Sequence, residues 1–441
     1  MRLNRSVGIA FMMAVTLIAL GASGTAQTPR AAEWSIVKPE SVGFSSERLN
    51  RLHELIQGEV DRKDLVGAVT ILARHGKIVD YRTYGVRDLS TGAPIDKDSI
   101  ARMFSMTKPV TGVALMQLYE EGKWLPWEPI AKFVPEFAKL KVFQGADANG
   151  KPVLVDPEHP PTMMELATHT AGFTYGSMAK NLVGQMYNEK KPFPSKSLQE
   201  YIDKMAELPL LYQPGTRWSY STSMDIEGYI VEKLSGQSFS SFMHDRIFAP
   251  LGMNDTGFSL PEEKRSRFAT NYERSEGKLV VSIRGPASAT ENYFVEPGAA
   301  SGGGGLVSTA ENYWRFAQML ANGGEFGGKR ILAPSTVQLI MSNHLPAKLL
   351  TGEWGIGQHV MRQGFGYGIN GAVIYDPPAA GMSDGKNTYF WDGAAGTWFW
   401  VDPTNDVVFV GIIQRMTDPD NHTLLYRSHA LVYQALVDPG K

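Results

Sequence analysis

The chain first shows a clear apolar pattern over Ser46 to Val60, where Leu49, Leu52, Ile56 and Val60 recur at helical spacing and predict an amphipathic helix. The period then changes. VGAVTILAR (66–74) and KIVDYRTYG (77–85) are rich in β-branched and aromatic residues and flank His75-Gly76, which predicts a two-stranded hairpin. The far end of the chain mirrors this arrangement. YFWD (389–392), TWFWVD (397–402) and VVFVGII (407–413) read as three short strands, and 422–437 as a closing helix carrying Leu424, Leu425, His429 and Val432 at helical spacing. Between the ends the patterns are mostly helical, at 109–122, 162–169, 197–208, 225–236, 311–324 and 334–344, several of them closed by glycine. Ser308-Thr309-Ala310-Glu311 reads as a capping box opening one of these helices. Small isolated hairpins are marginal in water. The two strands at the start and three at the end therefore predict one antiparallel sheet closed across the chain, with helices on its faces and a mostly helical insertion. The expected class is α/β (α+β), in a single domain over 34–441, with a sheet region of about 34–100 and 345–441 and a helical region of about 101–344.

The first residues, MRLNRSVGIAFMMAVTLIALGASGTAQ, combine two arginines, an apolar run from Val7 to Leu20 and a small-x-small site at Gly24-Thr25-Ala26. This is the pattern of a secretory signal peptide over residues 1–26, cut after Ala26, and the run is short for a membrane span, which needs ~20 apolar residues. The expectation is an exported protein, periplasmic or extracellular, without a stable membrane anchor once the signal is removed. A hydrophobic content of 43% with 20% charged residues is that of a soluble globular chain. The net charge of -2, with both signs scattered, argues against nucleic-acid partners. The absence of cysteine excludes disulfides, thiolate nucleophiles and cysteine-ligated zinc. Nine scattered histidines without H-E-x-x-H give no metal site, and no cofactor is implied.

The candidate chemistry is a serine with a lysine three places on. S-x-x-K occurs five times, at Ser35-Lys38, Ser105-Lys108, Ser177-Lys180, Ser275-Lys278 and Ser383-Lys386. A serine hydroxyl needs an adjacent base, and a lysine at i+3 reaches it only on a helix. Ser35 precedes Lys38-Pro39 in an extended segment, Ser275 and Ser383 are followed by glycine in turns, and Ser177 has no sustained apolar face after it. Ser105 alone is followed by a buried helical stripe of Val110, Val113, Ala114 and Leu118, with Pro109 acceptable only in the first turn. That puts Ser105 at a helix N-terminus, where unpaired N–H groups favour a developing oxyanion, and keeps Lys108 partly desolvated. A rival is Gly381-Met-Ser383-Asp-Gly385, which fits the G-x-S-x-G elbow with Asp406 and His422 following in order, but its context is a loop between strands.

The ordered elements Ser105-Met-Thr-Lys108, Tyr220-Ser-Thr222 within PGTRWSYSTSMD, and Trp391-Asp-Gly393 within YFWDGAAGTWFWVDP match S-x-x-K, Y-x-N and K/H/W-x-G. Flanking stretches fit as well: ELATHTAGF around His169, LGMNDTGF around Gly252 and SGGGGLVSTAEN around Gly302. From about Val42 to Leu436 the chain resembles the serine β-lactamases and penicillin-binding proteins, in the class C-like branch containing family VIII carboxylesterases. The resemblance implies the β-lactamase/transpeptidase-like fold, Ser105 as acylated nucleophile, Lys108 as its base and Tyr220 as proton relay to the leaving group and helper of the deacylating water. A phenol of ordinary pKa ~10 fills that role only if a lysine cation holds its anion down. The implied oxyanion hole is the backbone N–H of Ser105 and Ala394, with Gly393 letting substrate approach the strand edge. His169 is expected as a core or supporting histidine, and Gly302 to Gly305 as a structural connection without the lysine of a phosphate loop.

Two departures bear on substrate. Trp391 stands where β-lactamases and D-alanine peptidases carry a cation, and loss of that charge-assisted contact costs a substrate carboxylate ~1.5–3 kcal/mol. Thr222 replaces an asparagine that would bind an acylamino side chain. Trp391, Gly393 and Thr222 are thus the expected substrate-binding residues, and small uncharged esters the expected substrates. The same site could serve a β-lactamase, D-amino-acid peptidase or other amidase, or a non-catalytic scaffold for cell-wall fragments. Trp398 and Trp400 are either a structural aromatic stripe or a substrate wall. No oligomeric state follows from the sequence.

Overall fold

The computed structural model describes residues 35–282, 293–350, 361–416 and 418–440; the signal-peptide expectation lies outside the described residues. The predicted hairpin forms as β1 (Gly67–Arg74) and β2 (Lys77–Asp88). Its turn is His75-Gly76 with φ of 52° and 70°, the doubly left-handed conformation that matches the twist of flanking strands. The chain end contributes β6 (Thr388–Asp392), β7 (Trp398–Asp402) and β8 (Val407–Ile413). Three strands were not anticipated: β3 (Ala93–Pro94), β4 (Phe365–Tyr367) and β5 (Ala372–Ile374). Each spans only two or three residues, and β4 and β5 are fully buried, so neither shows the alternation by which a half-buried strand is recognised. The sheet has eight strands in the order β4-β5-β6-β7-β8-β1-β2-β3, and every pair is antiparallel. Its closure joins β1 to β8, with Ala68 opposite Ile413 and Arg74 opposite Val407, so the two ends of the chain meet in the middle of the sheet.

Helices α1 (Ser46–Asp61) and α5 (Asp420–Tyr433) pack on each other at the chain termini, while α4 (Ala310–Ala321) lies against β7, β8 and β1. All eight residues of β1 are buried, which is why that strand shows no alternation of apolar and polar positions. Helix α2 (Thr107–Glu120) contacts α3 (Ser223–Ser235), and every residue of α2 from Thr107 to Leu118 is buried. The expected stripe on α2 is thus a helix enclosed on all sides. The capping box lies elsewhere than anticipated. Thr309, one residue after the predicted Ser308, caps α4 by accepting from Asn312 N, and the true reciprocal box is Thr162 with Glu165. Between the sheet segments the described residues also form three small hairpins, Val142–Ala146 with Pro152–Val155, Tyr272–Ser275 with Lys278–Val281, and Glu325–Phe326 with Lys329–Arg330, so the insertion is not wholly helical. The described residues all fall in one compact unit.

Arg74 fastens the chain ends. Only 2% exposed, its guanidinium donates to the carbonyls of Asn405 (2.9 Å), Val42 (2.8 Å), Asp438 (3.2 Å) and Pro439 (2.8 Å). Arg74→Ala strands several buried carbonyls at once, and a loss of about 3 kcal/mol or more in unfolding free energy is expected in urea titration; an unchanged midpoint would show that the staple carries no stability.

Candidate active site

Met103 N donates to Leu306 O (2.9 Å) and Tyr313 Oη to Met106 O (2.8 Å), so the segment leading into α2 is held from two sides. Phe104 sits there with φ of 46°, an uncommon conformation for a bulky side chain, and turns the chain sharply into a 3-10 turn at Phe104–Met106 that continues into α2. Ser105 lies in that turn and Lys108 in the first turn of α2. Lys108 Nζ donates to Ser105 Oγ at 3.1 Å and to the carbonyl of Gly303 at 2.6 Å. Tyr220, in the extended stretch before α3, donates its Oη hydrogen to Ser105 Oγ at 2.6 Å. The three sequence-predicted side chains therefore converge on one oxygen.

Burial dominates the electrostatics. Lys108 is 0% exposed, and desolvation lowers its pKa to about 7, opposed by the carboxylates of Asp225, Asp392 and Glu227. Burial raises the Tyr220 phenol above its usual range, with the Ser105 hydrogen bond pulling the other way. The sequence-based expectation that a lysine cation holds a Tyr220 anion down is not met in the free enzyme: the phenol is neutral, and Lys108 is the group poised near neutrality. Lys108 Nζ stands 4.6 Å from the centroid of the Tyr220 ring.

His169 supports rather than joins this trio. Its Nδ1 pairs with Ser221 Oγ (3.0 Å), its ring meets that of Tyr220 edge-on at 4.9 Å, and burial followed by the charge of Lys108 depresses its pKa well below the usual range. Trp391 is 2% exposed and packs on Tyr220 (5.6 Å) and Tyr367 (5.4 Å), so its indole braces the phenol rather than lining an open wall. Its N–H lies near enough to lower the phenol's pKa but makes no hydrogen bond of good geometry. Thr222 Oγ1 is buried without a protein partner, two residues beyond Tyr220. Trp398 and Trp400, 1% and 0% exposed, pack with Phe409, Ser428 and His429 between sheet and α5, so they are structural.

At Gly393 a Cβ would stand 2.3 Å from Met103 O and 2.3 Å from Thr397 Oγ1, so close packing against the segment that leads to Ser105 by itself requires the bare backbone there. The Ala394 side chain packs in the same apolar cluster as Phe104 and Ala395, and among the described residues no acceptor takes its N–H. The other S-x-x-K serines are outside helices, and Ser275 and Lys278 face each other across a hairpin turn. The elbow rival also dissolves: Asp406 pairs with His75 (2.7 Å) and His422 with Asp392 (3.0 Å), and a strand, not a helix, follows Ser383. Sequence reading missed Asp225, Glu227, Asn370 and the Gly303 carbonyl, all within the network around Lys108. Their only local signal is two acids in the first turns of an otherwise buried helix.

Gly393→Ala pushes the strand end against Met103, and overpacking of this kind costs about 1–3 kcal/mol. The displacement of Ser105 is expected to slow its labelling by a fluorophosphonate by about a hundredfold, measured on folded protein; labelling at the unaltered rate would refute the coupling.

A profile of the beta-lactamase family matches residues 52–434. The chain is 34% identical to Protein Rv1367c of Mycobacterium tuberculosis, covering 80% of this chain and 87% of that one, and 30% identical to Esterase EstB of Burkholderia gladioli, covering 80% and 86%. Its fold is similar to that of the solved structure of EstCE1, described as a hydrolase with promiscuous acyltransferase activity, with a TM-score of 0.74 at 22% identity over 88% of this chain and 99% of that one. With the eight-stranded antiparallel sheet and helices already described, these matches mean that the chain belongs to the beta-lactamase family and is a serine hydrolase.

Proposed function

We propose that the protein cleaves small, uncharged carboxylic esters through an acyl-enzyme on Ser105. The observation that carries this reading is the convergence of Lys108 Nζ and Tyr220 Oη on Ser105 Oγ, with the lysine's pKa lowered to about 7. With Lys108 neutral, the 3.1 Å contact reverses and Oγ–H donates to the amine lone pair. As Oγ bonds to the ester carbonyl carbon, its proton passes to Nζ and the carbonyl electrons move onto oxygen, facing the N–H groups of Ser105 and Ala394. Collapse breaks the bond to the alkoxy oxygen, which takes a proton from Tyr220, and the lysine ammonium returns one to the phenol. Water then attacks the acyl-enzyme, giving its proton through Tyr220 and Lys108 while Ser105 regains its own. The ester preference is supported by the indole at position 391 in place of a cation, by Thr222, and by the carboxylates of Asp225 and Asp392 around Lys108, which disfavour an anionic substrate. Likeness to an esterase over 86% of that protein's length supports it further.

Turnover of p-nitrophenyl acetate or butyrate is expected to exceed that of nitrocefin and D-Ala-D-Ala peptides, and Ser105→Ala is expected to abolish both turnover and fluorophosphonate labelling. Equal or better hydrolysis of the amides would make the protein a β-lactamase or peptidase with the same machinery. Absence of labelling in the native protein would make it a binding scaffold, and labelling lost in Ser383→Ala instead would move the nucleophile.

The leader at 1–26 supports export to the periplasm or medium, and no helix among the described residues is long and apolar enough to cross a membrane. Intact-mass measurement of secreted protein should give a chain beginning at Gln27; a chain retaining its leader would overturn export with cleavage.

A further inference from the structure

Lys108 Nζ owes its position to a peptide carbonyl that is itself held from a distance. The Gly303 oxygen, 2.6 Å away, belongs to the tight connection Ser301 to Gly305, where Gly305 N donates to Ser301 O at 2.9 Å. Two anchors fix that connection. Thr111 Oγ1 on α2 donates to Gly302 O at 2.8 Å, and Asp225 Oδ1 on α3 accepts from Ser301 Oγ (2.6 Å) and from Gly303 N (2.9 Å). The fit leaves no room for side chains: a Cβ on Gly302 would stand 2.3 Å from Met224 O, and one on Gly303 2.7 Å from Asp225 Oδ2. Asp225 is 2% exposed and lies five residues after Tyr220, so one short stretch carries both the phenol and the carboxylate.

We infer that Asp225 is a positioning residue: by holding the Ser301–Gly303 turn it sets the Gly303 carbonyl against Lys108 Nζ and so keeps the lysine on Ser105. The inference rests on the reading of Lys108 as base. A carbonyl accepts from the amine in both protonation states, so a fixed Gly303 oxygen leaves the lysine one direction in which to receive the serine proton.

Asp225 also acts through its charge. The groups facing Lys108 are Asp225 and Glu227 from α3, Asp392 from β6, the rings of Tyr220 and Tyr175, and neutral His169. Of the three carboxylates, Asp225 does most to hold the lysine's pKa up against burial. Glu227 is braced differently, with Asn370 Nδ2 bridging its Oε2 (2.5 Å) to the main-chain carbonyl of Lys108 (3.1 Å). Removing the charge of Asp225 lowers the pKa of Lys108, so the neutral amine persists to lower pH and the acid limb of kcat/KM moves down.

The pH profile of kcat/KM for p-nitrophenyl butyrate, with kcat expressed per fluorophosphonate-labelled site, separates the two contributions. The native enzyme is expected to rise through about 7. Asp225→Asn keeps an accepting oxygen for the turn, so kcat stays within about threefold while the limb falls by about half a unit or more. Glu227→Gln moves it less, because burial raises the Glu227 pKa to about 8 and the group is already largely protonated near neutral pH. Asp225→Ala loses the anchor, and kcat falls by about tenfold or more with KM little changed; the asparagine variant is the rescue. Should the Asp225 variants not fold, Ser301→Ala removes one anchor bond and keeps the charge, with kcat expected to fall about threefold and the limb unmoved. A native limb position in Asp225→Asn, or native kcat per site in Asp225→Ala or Ser301→Ala, overturns the assignment. Lys108→Ala distinguishes the levels: if it stays active, the base reading itself fails, whereas an inactive Lys108→Ala beside unperturbed Asp225 variants rejects the positioning role alone.

Discussion

The site depends on one constraint, a lysine amine held without solvent inside the protein. An isolated buried ammonium is costly, so the fold must either neutralise it or surround it with compensating groups. Here both occur. Burial brings Lys108 to about 7, and chiefly the carboxylates of Asp225 and Asp392 prevent it from falling further, Glu227 being itself raised to about 8 by burial. The result is an amine near its own titration point at neutral pH, where a general base is most effective. Because α2 is enclosed from Thr107 to Leu118, the lysine has no exposed route out, and among the described residues its hydrogen-bond acceptors are Ser105 Oγ and the Gly303 carbonyl.

Much of the remaining architecture serves that enclosure. Antiparallel closure between β1 and β8 builds the sheet on which α4 rests, and Tyr313 of α4 reaches Met106 beside the nucleophile. From the other side, the end of β6 approaches so closely that only glycine fits at 393 against Met103. The aromatic cluster of His169, Trp218, Tyr220, Tyr367 and Trp391 fixes the phenol in place. Some backbone strain also lies next to the chemistry: Phe104 immediately before Ser105 and His169 beside Tyr220 both have positive φ, conformations that persist only where packing over-determines them.

Local pattern made α1, the β1–β2 hairpin, β6 to β8, α2 and α5 legible, because each has a sustained apolar period and clear punctuation. β3 to β5 escaped because two or three residues carry no period, and β4 and β5 are buried throughout. The S-x-x-K spacing occurs five times, and the helix after Ser105 was the physical reason to prefer it. Gly393 and Trp391 illustrate the converse. Their identity drew attention as a substrate edge, whereas the residues they touch are Met103 and Thr397 for one and Tyr220 and Tyr367 for the other.

The sequence by itself determined the fold class, the joining of the chain ends in one sheet, and the short-range geometry of Ser105 and Lys108, since these follow from periodicity and from three residues on one helix. It could not determine the charge state of that lysine or the carbonyl it rests on. Gly303 lies 195 positions away, Tyr220 lies 115 from Ser105, and Asp225 reaches across 78 to Gly303. Protonation is set by the summed burial and charge of such distant groups, and they become neighbours only when the tertiary structure excludes water from between them.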